Sequence, residues 1–226
     1  MLPRVLEPEV MDSEAEAVDY DSMDHSEVNR RFVDQLLECG TESEKLTQVP
    51  LRLLDVGTGT ALIPLELCGR TFPVHVTGID LAGHMLQLGQ RHVIQAGLQS
   101  RIKLEQVDAK QLPYANGSFN WVISNSIVHH IPDPLPVIRE MVRVLGSGGL
   151  LFVRDLLRPV DLATLKHLVQ TYAGDANAHQ QQMFDDSLHA ALTLDEVRCL
   201  LKEVDLPETW VTQTTDRHWT ICGRKP

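Results

Sequence analysis

Short apolar runs alternate with segments of helical spacing along the chain from residue 50 onward. The runs at 51–56, 74–79, 102–107, 119–124 and 149–154 are rich in Val, Ile, Leu and Phe. Runs this short and this uniformly apolar predict strands buried on both faces of a parallel sheet. The intervening segments, about 60–70, 83–97 and 134–145, space their apolar residues three and four apart and predict helices. Strand and helix in alternation make a doubly wound α/β fold with right-handed crossovers. Gly146-Ser147-Gly148-Gly149 predicts a tight turn from the last of these helices into the fifth strand.

The flanks follow other patterns. Residues 1–25 carry Pro3, Pro8 and many acids with no helical or strand period, which predicts an exposed arm. Ser26 opens a helix that ends at Gly40, with Val28, Phe32, Val33, Leu36 and Leu37 as the stripe that faces a sheet. Beyond the fifth strand, about 160–190 reads as a long helical insertion. Thr193 with Glu196 three residues on forms a capping box, ahead of the apolar face of Val197, Leu200, Leu201 and Val204. Residues 210–214 and 219–222 are apolar runs joined by too short a connection for a crossover, so they predict an antiparallel hairpin with Trp210 and Trp219 in its core. The expected organisation is an acidic N-terminal arm and helix over 1–48, then one domain over 49–226 with its helical insertion at 160–190.

Composition narrows the partners. At 226 residues and 43% hydrophobic, the chain suits a single α/β domain with decorations. Its net charge is −11, and residues 1–48 hold 13 acids against 4 bases, so the remainder is nearly neutral. A chain with a pI near 5.3 lacks the positive field that draws phosphate backbones, so a small molecule is the expected partner and nucleic acid is not. No run reaches the roughly 18 apolar residues of a membrane span, and residues 1–8 hold no signal-peptide core. Cys39, Cys68, Cys199 and Cys222 lack metal-ligand spacing and are expected to stay reduced, which points to the cytoplasm.

Open α/β sheets bind ligands at the carboxyl ends of their strands. The first strand ends in Asp55-Val56-Gly57-Thr58-Gly59, where the glycines let the backbone turn and approach a ligand closely. The helix start that follows offers free N–H groups to a carboxylate. Asp55 matches a ligand with cationic groups better than a pyrophosphate, because like charges in a partly dry cleft repel. S-adenosylmethionine (SAM), with its sulfonium and ammonium, is such a ligand. Asp80 ends the second strand, 21 residues beyond Gly59, where an acid accepts from ribose hydroxyls. The third strand ends at Asp108-Ala109, the fourth at Ser124-Asn125-Ser126-Ile127-Val128-His129-His130. A dinucleotide fingerprint would need glycine at 62, which is Leu62, so an NAD-linked oxidoreductase is the weaker alternative. Adjacent side chains such as His129 and His130 usually diverge and rarely chelate one ion, so one ring is expected in the core, one in the cleft, and no metal between them.

Taken in order, the glycine loop, Gly78-Ile79-Asp80, Asp108-Ala109 with Leu112-Pro113, Gly117-Ser118-Phe119-Asn120, His129-His130-Ile131-Pro132-Asp133-Pro134, and 139–145 before Gly148-Gly149 form a joint pattern over residues 51–156. It resembles the class I SAM-dependent methyltransferases, and within them the branch of ubiquinone and menaquinone biosynthesis and many small-molecule enzymes. The resemblance implies a seven-stranded Rossmann-like sheet of order 3-2-1-4-5-7-6 with an antiparallel last strand, under an N-terminal lid carrying Tyr20 and Met23. It implies methyl transfer to O, N or C of a small acceptor by in-line displacement. It also implies that Asp55, Gly57, Thr58 and Gly59 line the methionine half of SAM, that Asp80, next to Leu81, binds the ribose, that Asp108 and Ala109 contact adenine, and that Asn125 lies near the sulfonium. The acceptor pocket would lie over 160–190. Displacement at a sulfonium needs positioning more than a base; where a base is needed, His129, His130 and Asp155 are the candidates. Ala61 stands where the family often has a third glycine, and its methyl is expected to crowd the loop slightly. A protein that binds SAM without catalysis is the other alternative, favoured if the N-terminal arm fills the acceptor cleft.

Overall fold

The computed structural model describes residues 2–8, 13–40, 44, 49–70 and 72–226. Its strands are β1 (Leu51–Val56), β2 (Val74–Asp80), β3 (Ile102–Gln106), β4 (Phe119–Asn125), β5 (Leu145–Leu156), β6 (Val211–Gln213) and β7 (His218–Arg224). They form one sheet in the order β3-β2-β1-β4-β5-β7-β6, the order implied by the resemblance. Pairs from β3 to β5 are parallel, while β7 runs antiparallel to β5 and β6. One boundary moves: β5 reaches back to Leu145 through the predicted glycine turn. Gly148, at φ +72, bends the backbone there, yet its N–H still donates to the Lys225 carbonyl at 2.7 Å.

The helices are α1 (Glu14–Asp21), α2 (Ser26–Cys39), α3 (Leu62–Gly69), α4 (Gly83–Gln95), α5 (Leu135–Val144), α6 (Leu162–Ala173), α7 (Ala178–Ala190) and α8 (Leu194–Glu203). Successive strand residues point to opposite faces, so each central strand feeds two cores. Leu53, Ile123 and Phe152 pack with Phe32, Val33 and Leu36 of α2 and Leu67 of α3. Their neighbours Leu54, Val122 and Val153 pack with Ile138 and Met141 of α5 and Val197 and Leu201 of α8. The capping box forms as expected: Thr193 Oγ1 accepts from Glu196 N at 3.2 Å, and Glu196 Oε2 accepts from Thr193 N at 2.8 Å. The insertion resolves into α6 and α7, which bury Leu165, Leu168 and Leu188 against Leu156, with Leu2 packed alongside.

The N-terminal region departs from the exposed arm. It contains α1, whose Ala17 is buried with Ala82 and Met85 while Tyr20 packs alongside; two such positions in an acidic stretch are too few to show a period in the sequence. Residues 2–8 run along α7 and the turn after β4. Val5 N donates to the His189 carbonyl at 3.1 Å. The Arg4 guanidinium donates to the carbonyls of Ala190, Pro132, His129 and Ile131 at 2.7–3.1 Å. Those acceptors lie more than 120 residues away, so no local pattern encodes the docking.

Candidate active site

The glycine loop leaves β1 with Gly57 at φ +75 and Gly59 at φ +53. A Cβ on Gly57 would lie 2.1 Å from Ile127 Cγ2, so this position needs glycine for space as well as for backbone freedom. Ala61 adopts φ +63. Its methyl has room, because Gly89 opposite has no Cβ: one built there would lie 3.2 Å from Ala61 Cβ. The expected crowding is thus absent, and the departure from glycine costs roughly 1–2 kcal/mol of left-handed backbone strain instead.

Gly57, Gly59, Asp80, Leu81, Asp108, Ala109 and Asn125 line one cleft at the carboxyl ends of β1 to β4, with Tyr20 of α1 and His130 on its walls. Asp80 braces the loop: its Oδ2 accepts from Gly59 N at 2.8 Å and its Oδ1 from Ala82 N at 2.9 Å. Each oxygen keeps lone-pair capacity for a ligand. Burial raises the Asp80 carboxyl above its usual range, against the pull of those backbone N–H groups. Asp108 accepts from Lys110 N at 2.9 Å. The loop beyond it is held by α5, where Glu140 Oε2 accepts from Leu112 N at 2.7 Å and Arg143 donates to the carbonyls of Leu112 and Tyr114 at 3.0 and 2.7 Å. The charged pair of α5 therefore supports the segment that presents Asp108.

Tyr20 stacks on His25 with ring centroids 4.5 Å apart. Burial and the charges of Asp80 and Asp55 push its hydroxyl up to about 12, so it remains a donor in the cleft at neutral pH. His92 ties α1 to the glycine loop, with Nε2 3.3 Å from Asp21 Oδ2 and Nδ1 3.1 Å from the Thr60 carbonyl.

Four anticipated residues stand behind the cleft. Asp55 is 2% exposed, and its Oδ2 accepts from the Thr58 hydroxyl at 2.7 Å. Burial, with the Asp80 charge, pushes the Asp55 carboxyl up to about 7, more than the Thr58 bond lowers it. His129 and Asp155 are buried as a pair, Nδ1 to Oδ1 at 2.5 Å. Asp155 also accepts from the N–H groups of Val128 and His129, at 2.5 and 3.3 Å. Burial opposes both charges, and mutual attraction outweighs it: Asp155 is held below the usual carboxylate range and His129 above the usual imidazole range.

The two histidines do not diverge. Val128–His130 is a 3₁₀ turn, and its rings sit with centroids 4.1 Å apart. Adjacent residues there are separated by about 120° of rotation and not the 180° of a strand. Glu7 reaches both, its Oε1 2.9 Å from His130 Nδ1 and 3.5 Å from His129 Nε2. Sequence reasoning had no signal for Glu7, nor for the cleft-lining Met85 or Val137; Ser126, which adopts φ +59, lies in the strand-end run that the sequence marks. No residue of 160–190 lines this cleft; α6 and α7 pack on each other, and α7 carries residues 2–8.

A methyltransferase-domain family model matches residues 54–153. The 27-O-demethylrifamycin SV methyltransferase of Amycolatopsis mediterranei is 33% identical over 178 residues, 77% of this chain and 61% of that protein. The ubiquinone/menaquinone biosynthesis C-methyltransferase of Geotalea daltonii is 33% identical over 122 residues, 54% of this chain and 52% of that protein. The chain thus spans between half and two thirds of the length of these curated relatives. Among solved structures, a SAM-dependent methyltransferase from Aquifex aeolicus shares the fold, with a TM-score of 0.65 at 16% identity over 93% of this chain and 97% of that one. Sheet order, glycine loop and matched domain agree: residues 54–153 match a methyltransferase domain, and the chain has the fold of the class I SAM-dependent methyltransferases. Among the described residues, no helix is long and apolar enough to cross a membrane.

Proposed function

We propose that this chain transfers the methyl group of SAM to an oxygen, nitrogen or carbon of a small organic acceptor. The convergence of Gly57, Gly59, Asp80, Asp108 and Asn125 on one cleft at the strand ends carries the reading. The residues present fit the cofactor, because Gly57 and Gly59 line the cleft and nothing lies within 4 Å of where a Cβ on Gly59 would stand, which leaves the loop open to a ligand. When bound, SAM supplies a methyl on a positively charged sulfur with a good neutral leaving group. The glycine loop would hold its carboxylate through backbone N–H groups, Asp80 would accept from the ribose hydroxyls, and Asp108 from the adenine amine. Asp55, behind the loop with its carboxyl raised to about 7, would ionise more fully beside the cationic end and then add negative field toward it.

Ile127, Ile131 and Val137 give the cleft an apolar wall beside His130, which suits a small organic acceptor. His130 is the base candidate on that wall; Asp155 and His129 act as positioning residues, because Asp155 fixes the turn through two backbone N–H groups. α1 with Tyr20 forms the lid in this proposal. Four scattered cysteines without ligand spacing support a reducing compartment such as the cytoplasm.

Isothermal titration with SAM, S-adenosylhomocysteine and NAD tests the binding half. Micromolar affinity for SAM and none for NAD is expected; the reverse would overturn the proposal. Asp80→Ala is expected to weaken SAM binding by about 1–3 kcal/mol, the range for losing hydrogen bonds to a charged group, and an unchanged affinity would remove the ribose from Asp80. Release of S-adenosylhomocysteine on incubation with SAM and a panel of phenols, amines and quinols separates catalysis from binding alone.

A further inference from the structure

Glu7, His129 and His130 come from segments more than 120 residues apart, yet their ligating atoms all lie within 4.8 Å of one another. Glu7 Oε1 is 2.9 Å from His130 Nδ1 and 3.5 Å from His129 Nε2. Donor atoms about 2.0–2.2 Å from a tetrahedral zinc ion lie roughly 3.3 Å from one another, so the cluster is within small shifts of a coordination shell.

Three further observations favour a cation at its centre. His129 Nδ1 is engaged by buried Asp155, which directs the Nε2 lone pair toward Glu7; a carboxylate on the far nitrogen is the usual support for a ligating histidine. A proton or a metal ion between His129 Nε2 and the Glu7 carboxylate relieves the facing lone pairs. Glu7 Oε1 and His130 Nδ1 are also buried atoms without a hydrogen bond of good geometry, although they face each other as an ion pair. The local charge accommodates a dication, since Asp155 and Glu7 carry two negative charges against the positive Arg4.

We propose that Glu7 Oε1, His129 Nε2 and His130 Nδ1 bind one zinc ion, or a similar first-row divalent ion. Two imidazoles and a carboxylate suit such an ion better than calcium or magnesium, which favour all-oxygen shells. The ion pins residues 2–8 to the wall of the cleft. Three protein ligands leave one of four positions to water or to an acceptor atom, and His130 brings the ion to the cleft itself.

Titration of chelator-stripped full-length protein with zinc, together with a metal count by mass spectrometry, tests this. One ion per chain is expected for the wild type, with affinity at least tenfold lower in Glu7→Gln and in His130→Ala. Asp155→Asn, which leaves all three ligands in place, is expected to lose 10–100-fold in affinity. Circular dichroism reports whether each variant is folded. Cobalt substitution adds a measurement on the wild type alone: the intense visible bands of four-coordinate cobalt are expected. Their absence, a missing stoichiometric ion, or equal affinity in folded Glu7→Gln would each overturn the site. Metal is read here without SAM or acceptor, so failure leaves the methyl-transfer proposal standing.

Discussion

Gly57 has two independent reasons to be glycine, and they can be separated. Its φ of +75 strains any side chain, and a Cβ would overlap Ile127 Cγ2 at 2.1 Å. Gly57→Ala is expected to cost about 1–3 kcal/mol from backbone strain alone, with the overlap added. In urea unfolding, Ile127→Ala placed in the same chain should recover most of the overlap, the 127 Cβ contact at 2.9 Å remaining, and leave the strain; no recovery would mean that the loop had moved instead. Asp55 makes a second residue-level prediction. Its carboxyl ordinarily titrates near 3.8, and burial first, then Asp80, raises it to about 7 in the fold. Between those values the folded state holds a proton that the unfolded chain has lost. The stability linked to that proton is fully present below pH 4 and is lost as pH rises toward and through 7, by on the order of 4 kcal/mol for a shift of about three units. Asp55→Asn stays neutral and still accepts from Thr58, so its unfolding free energy should be flatter across that window. Equal pH slopes in the two proteins would refute the raised value. The presence of an acid at 55 was legible from the sequence; its turn toward Thr58 depends on what surrounds the strand end.

At the scale of elements, the contact between α2 and β7 carries its own chemistry. Cys39 ends α2 and Cys222 lies in β7, with sulfurs 2.8 Å apart as free thiols. The hydrogen bond from Cys222 holds Cys39 below the ordinary thiol range against the effect of burial, which favours its thiolate, the attacking form, at pH 8. Oxidised glutathione at that pH should yield a Cys39–Cys222 disulfide, with the added disulfide reduced to two thiols. Peptide mapping is expected to find that cross-link in the wild type and not in Cys39→Ser. The same elements show how far periodicity reaches. The stripe of α2 was plain because Phe32, Val33 and Leu36 repeat at helical spacing and are all fully buried. α1 was invisible because its docking rests on Ala17 and Tyr20, too few positions to show a period in an acidic stretch. The turn at Val128–His130 was equally hidden, since two histidines in a row carry no period that distinguishes a strand end from a 3₁₀ turn.

Over the whole molecule, one sheet divides two cores, and β1, β4 and β5 contribute residues to both. Neither core persists without those strands, so unfolding should be a single cooperative event. Trp121 sits in one core and Trp219 in the other. Single substitutions to Phe should leave fluorescence transitions that share a midpoint with circular dichroism, and separated midpoints would show that the halves melt independently. The sequence by itself determined this scaffold: apolar period and chain order specify which strands are buried and where they turn, and the glycines and acids at 57, 59, 80 and 108 mark the ends that face a ligand. Those signals are local and repeat along the chain. Only the tertiary structure decided which side chains reach the cleft, placing Asp55 and Thr58 behind the loop, pairing His129 with Asp155 out of reach, and carrying Glu7 onto the two histidines. Such choices rest on packing and charge between segments remote in sequence, and no spacing of neighbouring residues carries that information.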